Sequence, residues 1–105
     1  MLPQAFFDRY QALRSQFDSS TPTIKSDLKD LAESLSTLGT QVASMAKLQD
    51  QEFRNYASLF KSGNLTLKEL QETAKRFLAI QALYTDIALL HCEAERKYNS
   101  LPHSL

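Results

Sequence analysis

The sequence predicts an all-α fold: a long antiparallel, coiled-coil-like helical hairpin preceded by a short N-terminal helix. Apolar residues recur at steps of three and four over two long stretches, as on one face of an α-helix, and no stretch alternates as a strand would. A glycine-containing turn signal at residues 62–66 separates these stretches. The 105 residues include only two Gly and three Pro, so few residues interrupt long helices, and we expect one domain over 1–105.

The first helix is expected over residues 3–18. Pro3 suits the first helical position, because its missing N–H would be unpaired there anyway. Phe7 widens an apolar stripe that consists of Phe6, Tyr10, Leu13 and Phe17. Aromatic residues at this spacing usually fill a core. The alternative is a detachable hydrophobic helix that binds a partner or a membrane surface.

The second helix is expected over residues 22–61, with Thr21 as N-cap and Pro22 at the first helical position. Its apolar ladder begins with Ile24, Leu28, Leu31, Leu35, Leu38, Val42 and Met45. Two steps of four then follow in succession, which predicts a stutter, and the ladder continues with Gln49, Phe53, Tyr56 and Phe60. Gln49 would place an amide in the seam, where it needs a hydrogen-bond partner.

The third helix is expected over residues 66–99, followed by a tail over 100–105. Gly63 suits the left-handed residue after the second helix, and Thr66 with Glu69 matches the capping-box spacing. Pro102 cannot continue the helix. The predicted seam consists of Leu70, Thr73, Phe77, Ile80, Tyr84, Ile87, His91, Ala94 and Tyr98.

The helix lengths predict an incomplete bundle. At 1.5 Å per residue the second helix would be about 60 Å long and the first only about 22 Å, so much of the hairpin's apolar face would stay uncovered. We expect a homo-oligomer or a hetero-complex to complete it. The alternative is a second helix that bends near Gly39 or Gln49. The expected interaction face consists of Phe6, Tyr10, Leu35, Leu38, Val42, Gln49, Phe53, Tyr56, Phe77, Tyr84 and His91.

Charge and composition exclude several classes of function. Twelve Lys and Arg balance twelve Asp and Glu, which argues against a nucleic-acid partner. The single cysteine fits a reducing compartment, and no signal peptide or membrane-spanning apolar run is evident, so a cytoplasmic protein is expected.

A local excess of cations surrounds the predicted turn. Residues 53–76 contain five cations and two carboxylates. This basic tip consists of Arg54, Lys61, Lys68, Lys75 and Arg76. It is either an ordinary solvated helix end or a contact for an acidic partner or anionic lipid headgroups.

The sequence offers no convincing chemical site. His91, Cys92 and Glu93 form the only cluster of potential ligands, but neighbouring residues on a helix point about 100° apart. Neither a phosphate-binding loop nor a nucleophile with a matching base is evident. We therefore expect no catalytic residues, no metal and no cofactor.

The segment 21–60, which contains Leu28-Lys29-Asp30-Leu31-Ala32-Glu33-Ser34-Leu35, resembles one helix of BAR-type membrane-curving domains. The resemblance covers about a third of the chain and implies a role at a membrane surface. The residue pattern itself favours a non-enzymatic helical interaction protein, such as a small adaptor or scaffold subunit. A membrane-associated trafficking or curvature module and a small helical chaperone for a partner's amphipathic helix are the alternatives.

Overall fold

The computed structural model describes residues 4–20 and 25–101 and confirms the all-α hairpin with a short preceding helix. The helices are α1 (Gln4–Ser20), α2 (Lys25–Lys61) and α3 (Leu67–Ser100). The predicted caps at Pro3, Thr21 and Pro22, the first ladder residue Ile24 and the tail beyond residue 101 lie outside the described residues.

The turn between α2 and α3 satisfies the backbone groups at both helix ends. The N–H of Gly63 donates to the carbonyl of Phe60 (3.0 Å), and that of Asn64 donates to the carbonyl of Leu59 (2.9 Å), which is a Schellman motif. Gly63 has a φ of 80°, as predicted. This geometry reverses the chain within a few residues and makes the hairpin antiparallel.

Thr66 caps the first turn of α3, as predicted. Its hydroxyl oxygen accepts from the backbone N–H of Glu69 at 3.2 Å. The Glu69 carboxylate accepts from the Thr66 hydroxyl at 2.9 Å, whereas a capping box would pair it with the Thr66 backbone N–H. The first half of the predicted box is therefore confirmed, and the second half takes a different donor.

The core is a seam between α2 and α3 with α1 added on one side. On α2 the buried residues are Leu28, Leu31, Leu35, Leu38, Val42, Ala46 and Gln49. The two steps of four run from Leu38 through Val42 to Ala46, seven residues or about two turns earlier than the predicted stutter. Met45 is half-buried beside the core.

The buried stripe of α3 includes two residues outside the predicted ladder, Leu83 and Leu90. Of the ladder residues, Tyr84 is 42% exposed, and Leu70, Phe77, His91 and Tyr98 are half-buried. The remaining buried residues of α3 are Thr73, Ile80, Ile87 and Ala94. Since aliphatic side chains have no polar atoms that need partners, Leu83 and Leu90 cost less to bury than a phenol or an imidazole.

Helix α1 lies against the half of the hairpin that is far from the turn. Leu13 is 3% exposed in the core, with the aromatic residues Phe6, Phe7, Tyr10 and Phe17 packed around it. Arg14 contacts Glu93 at 3.5 Å, and Phe17 borders the same cleft as Lys97, so α1 runs parallel to α3. Helix α2 is continuous from Lys25 to Lys61, so the alternative of a folded-back second helix is wrong.

Candidate interaction surface

The half of the hairpin near the turn, residues 46–80, has no third helix against it among the described residues. Helix α1 has 17 residues and α2 has 37, so α1 covers roughly half of the hairpin's length. Its position on α2 is marked by Arg9, which borders one cleft together with Leu38 and Gln41. Leu48 follows Gln41 by seven residues, about two helical turns, and so continues the side of α2 that borders α1.

This uncovered continuation exposes large apolar side chains. Leu48 is 61% exposed and Leu59 is 43% exposed. They lie eleven residues apart, close to three turns, so they share one flank of α2. Tyr56 lies half-buried between that flank and the seam. We call this surface the tip groove, bordered by Leu48, Tyr56 and Leu59 of α2 and by Lys68 and Lys75 of α3.

A polar bridge joins α2 and α3 in the half of the hairpin that contains the tip groove. Arg76 Nη2 donates to Glu52 Oε1 at 3.3 Å and to Thr73 Oγ1 at 3.2 Å. Thr73 is fully buried, and its hydroxyl donates to the Glu69 carbonyl at 3.1 Å. The bridge joins the two helices through charged groups, so the seam is more polar near the turn than beside α1.

Gln49 is buried at the predicted seam position, 5% exposed. Its Oε1 atom has no hydrogen-bond partner within the described part of the chain, and neither does the buried Nε of Arg76. The described residues therefore do not supply the hydrogen-bond partner that this oxygen needs. An acceptor and a donor that both lack partners lie in the polar half of the seam.

The face of the hairpin opposite α1 contains an open groove with a volume of about 600 Å³. Small residues from α2, including Gly39 and Ala43, form one side, and Tyr84, His91 and Cys92 of α3 form the other. His91 Nδ1 lies 3.5 Å from Glu95 Oε1. Cys92 is exposed.

Two aromatic residues of the predicted interaction face, Phe53 and Phe77, contact each other across the hairpin. Their ring centroids lie 5.8 Å apart with an interplanar angle of 24°. Both side chains are half-buried. This stacked pair holds the two helices together near the turn and leaves only its outer surface for a partner.

The other predicted face residues divide between core and surface. Leu35, Leu38 and Val42 are buried by the chain's own helices, so an outside partner cannot reach them while the hairpin is closed. Phe6 and Tyr10 pack on the core with α1. Burial raises the pKa of the Tyr10 phenol, and the nearby Asp86 carboxylate raises it further. These residues therefore fix α1 in place.

The basic tip is partly neutralised. Arg54 pairs with Asp50 at 3.2 Å, as its i,i+4 spacing predicts, and Arg76 pairs with Glu52. The side chains of Lys61, Lys68 and Lys75 are exposed. The cations with the greatest freedom to meet a partner are therefore the lysines.

The spacing of the apolar ladder did not identify Leu48 and Leu59, because both lie off its stripe. A leucine outside the stripe of an amphipathic helix is itself a signal, since it widens the apolar face beyond what one neighbour covers. Leu48 and Leu59 both lie outside the stripe, and both lie on the same flank of α2.

Across residues 4–20 and 25–101, no group of three or more His, Cys, Asp or Glu side chains is placed to hold a metal ion. Within the same residues, no helix combines the length and the apolar character needed to cross a membrane.

Comparisons with known protein families, with curated proteins and with solved structures find no significant match for this chain.

Proposed function

We propose that this chain is a non-enzymatic helical interaction module, a small adaptor or scaffold subunit that binds a partner through the tip groove. The observation that carries the proposal is the incomplete third layer of the bundle. Helix α1 lies beside Gln41 of α2, and the same side of α2 then continues to Leu48 and Leu59 with no further helix beside it among the described residues. Exposed apolar surface that continues an occupied groove is typical of an interaction site.

A role in a reducing compartment such as the cytoplasm belongs to the same proposal. Cys92 is the only cysteine of the chain and is exposed as a free thiol. An exposed thiol without a disulfide partner is more compatible with a reducing environment than with an oxidising one.

Site-specific photo-crosslinking in the native cells tests the proposal. A photoreactive phenylalanine analogue would replace Leu48 in the tip groove. The matched control would carry the same analogue at Lys47, an exposed residue whose side chain points about 100° away from that of Leu48 and borders the open groove on the face opposite α1. We expect a discrete crosslinked product from position 48 and none from position 47.

Light scattering after size-exclusion chromatography supplies the second measurement. If the purified chain is a stable monomer at micromolar concentration and position 48 yields no crosslinked product, the tip groove has no partner and the proposal is wrong. Identical products from positions 48 and 47 would also contradict it, because they would indicate contact without a defined face.

A further inference from the structure

The flank of α3 that faces α1 reverses its charge along the helix. Asp86 and Glu93 lie on this flank beside α1, and Lys68 and Lys75 lie on it nearer the turn. The spacings along this set are seven, eleven and seven residues, each close to a whole number of turns at 3.6 residues per turn. The four side chains therefore lie close to one line, with the two carboxylates beside α1 and the two lysines beside the tip groove. Lys97 adds a cation to this line where α1 ends, and Glu72 lies between the two lysines.

Helix α1 shows which side chains a bound helix places against these charges. Arg14 of α1 contacts Glu93 at 3.5 Å, and the Asp86 carboxylate lies close enough to Tyr10 to influence its phenol. A helix bound beside the acidic part of the line thus presents a cation to it. By the same charge complementarity, a helix bound beside Lys68 and Lys75 would place carboxylates against these lysines.

We propose that the tip groove binds one amphipathic helix of a different protein, with its apolar stripe against Leu48 and Leu59 and carboxylates along the flank that faces Lys68 and Lys75. The inference rests on the proposed function and adds the chemistry of the partner. The distance from Leu48 to Leu59 along α2 is about 17 Å, which matches three turns of a bound helix.

Charge argues against a second copy of this chain as the occupant. The α1 helix of another copy would bring Arg14 toward the lysines in the position where it now meets Glu93. Residues 46–80 contain six cations and four carboxylates, an excess of two positive charges. Two tip halves facing each other would bring these two positive excesses together. Like charges placed opposite each other oppose association.

Binding of two designed peptides to the full chain tests the inference. Both peptides would have about 20 residues, enough for stable helix formation, and the same apolar stripe. One carries Glu and the other carries Lys along one flank. We expect the Glu peptide to bind about tenfold more tightly at low salt, measured by fluorescence anisotropy. Because these rim charges are exposed, the preference should shrink at high salt.

Charge reversal in the protein supplies the matched control. The double variant Lys68→Glu/Lys75→Glu should prefer the Lys peptide, whereas Lys47→Glu, on the opposite face, should retain the original preference. Circular dichroism confirms that each variant is folded. Equal binding of both peptides, binding of neither, or an equal effect of Lys47→Glu would overturn the inference.

Two further measurements separate this inference from the proposed function. A homodimer that dissociates on Leu48→Glu substitution would make a second copy the occupant. Lysine-dependent binding to vesicles containing anionic lipid, without a preference between the peptides, would make a membrane surface the occupant. Either result overturns the acidic helix as partner. If neither peptide binds but position 48 still yields a crosslinked protein, the chain remains an interaction module. Only the inference that the partner helix is acidic is then overturned.

Discussion

At the scale of single residues, the seam near the turn holds two buried polar atoms without partners among the described residues, Gln49 Oε1 and Arg76 Nε. A buried acceptor that lacks a donor costs about 1–3 kcal/mol relative to one that is hydrogen-bonded. The rest of the α2 seam, from Leu28 to Ala46, consists of apolar side chains. The hairpin is therefore less stabilised at the end where the tip groove lies.

Replacing the buried amide with an apolar side chain should stabilise the hairpin. We expect Gln49→Leu to raise the free energy of unfolding by about 1 kcal/mol, because the unpaired oxygen is removed and apolar area is buried. Urea denaturation followed by circular dichroism measures the change. Gln51→Leu, at an exposed position of the same helix, should stay within about 0.5 kcal/mol of the wild type. A loss of stability in Gln49→Leu would show that the amide has a partner.

Tyr10 makes the docking of α1 sensitive to high pH. Burial, and secondarily Asp86, raise the pKa of its phenol in the folded state above the unfolded value near 10. The neutral phenol therefore contributes stability that is present below pH 10 and is lost as the pH rises through the raised pKa. Thermal unfolding at pH 9 and pH 11 should show a smaller loss of stability in Tyr10→Phe than in the wild type.

A matched variant controls for the removal of a phenol. Tyr84→Phe removes a hydroxyl from the face opposite α1, where Tyr84 borders the open groove. If Tyr84→Phe reduces the loss of stability as much as Tyr10→Phe does, then Tyr10 is not the residue responsible.

At the scale of elements, the two glycines of the chain have opposite roles. Gly63 has a φ of 80° at the end of α2, and a methyl group there would meet no atom within 4 Å, so any cost arises from the backbone alone. Gly39 lies inside α2, where a Cβ would lie 3.5 Å from Ile87 Cγ2, an ordinary van der Waals distance. The same substitution is therefore expected to change stability in opposite directions.

Gly63→Ala should lower the free energy of unfolding by about 1 kcal/mol, since a left-handed conformation is unfavourable for alanine. Gly39→Ala should raise it by about 0.5–1 kcal/mol, because alanine loses less conformational freedom in a helix. Denaturant unfolding of both variants under one set of conditions tests the pair. Equal signs for the two changes would mean that one of the backbone assignments is wrong.

The sequence predicts the helices and the turn well because local chemistry specifies them, as Gly63 and Thr66 do at the hairpin's end. It assigns the α3 seam less well because two apolar stripes overlap there. Ile80, Ile87 and Ala94 belong to both, and spacing alone does not choose between Tyr84 with His91 and Leu83 with Leu90. Leu83 and Leu90 lie on the side that α1 covers, so the choice depends on a tertiary contact.

The candidate site was also predicted only in part from the sequence. Its approximate extent follows from the helix lengths, since a short α1 cannot cover a long hairpin. Its lysines, Lys68 and Lys75, were part of the predicted basic tip. Leu48 and Leu59 were not predicted, because their role depends on which flank α1 occupies, and spacing within α2 does not state that.

At the scale of the whole molecule, α1 should open more readily than the hairpin. Leu13 is its one buried residue among those whose side chains are described, whereas α2 and α3 contribute a continuous buried seam. Regions with few buried apolar contacts open at lower free energy. Hydrogen exchange should therefore be faster for the amides of α1 than for residues 28–46 of α2.

Leu13→Ala should accelerate exchange in α1 further, by a loss of about 2 kcal/mol or more of local stability, and should leave the middle of the α2–α3 seam nearly unchanged. Leu78→Ala, at an exposed position of α3, is the control and should change neither region. If Leu13→Ala accelerates exchange equally in all three helices, the molecule opens as one cooperative unit and α1 is not a separate element.

The elongated shape separates the two ends of the molecule. The structure measures 65 × 19 × 15 Å, with the turn at one end and the last residues of α3 at the other. From Lys68 to Leu101 the distance along α3 is about 50 Å. A tether or neighbouring subunit at the far end would therefore not obstruct a helix bound in the tip groove. The hairpin would act as a spacer that holds the helix bound in the tip groove at a fixed distance from the tether or subunit at the far end.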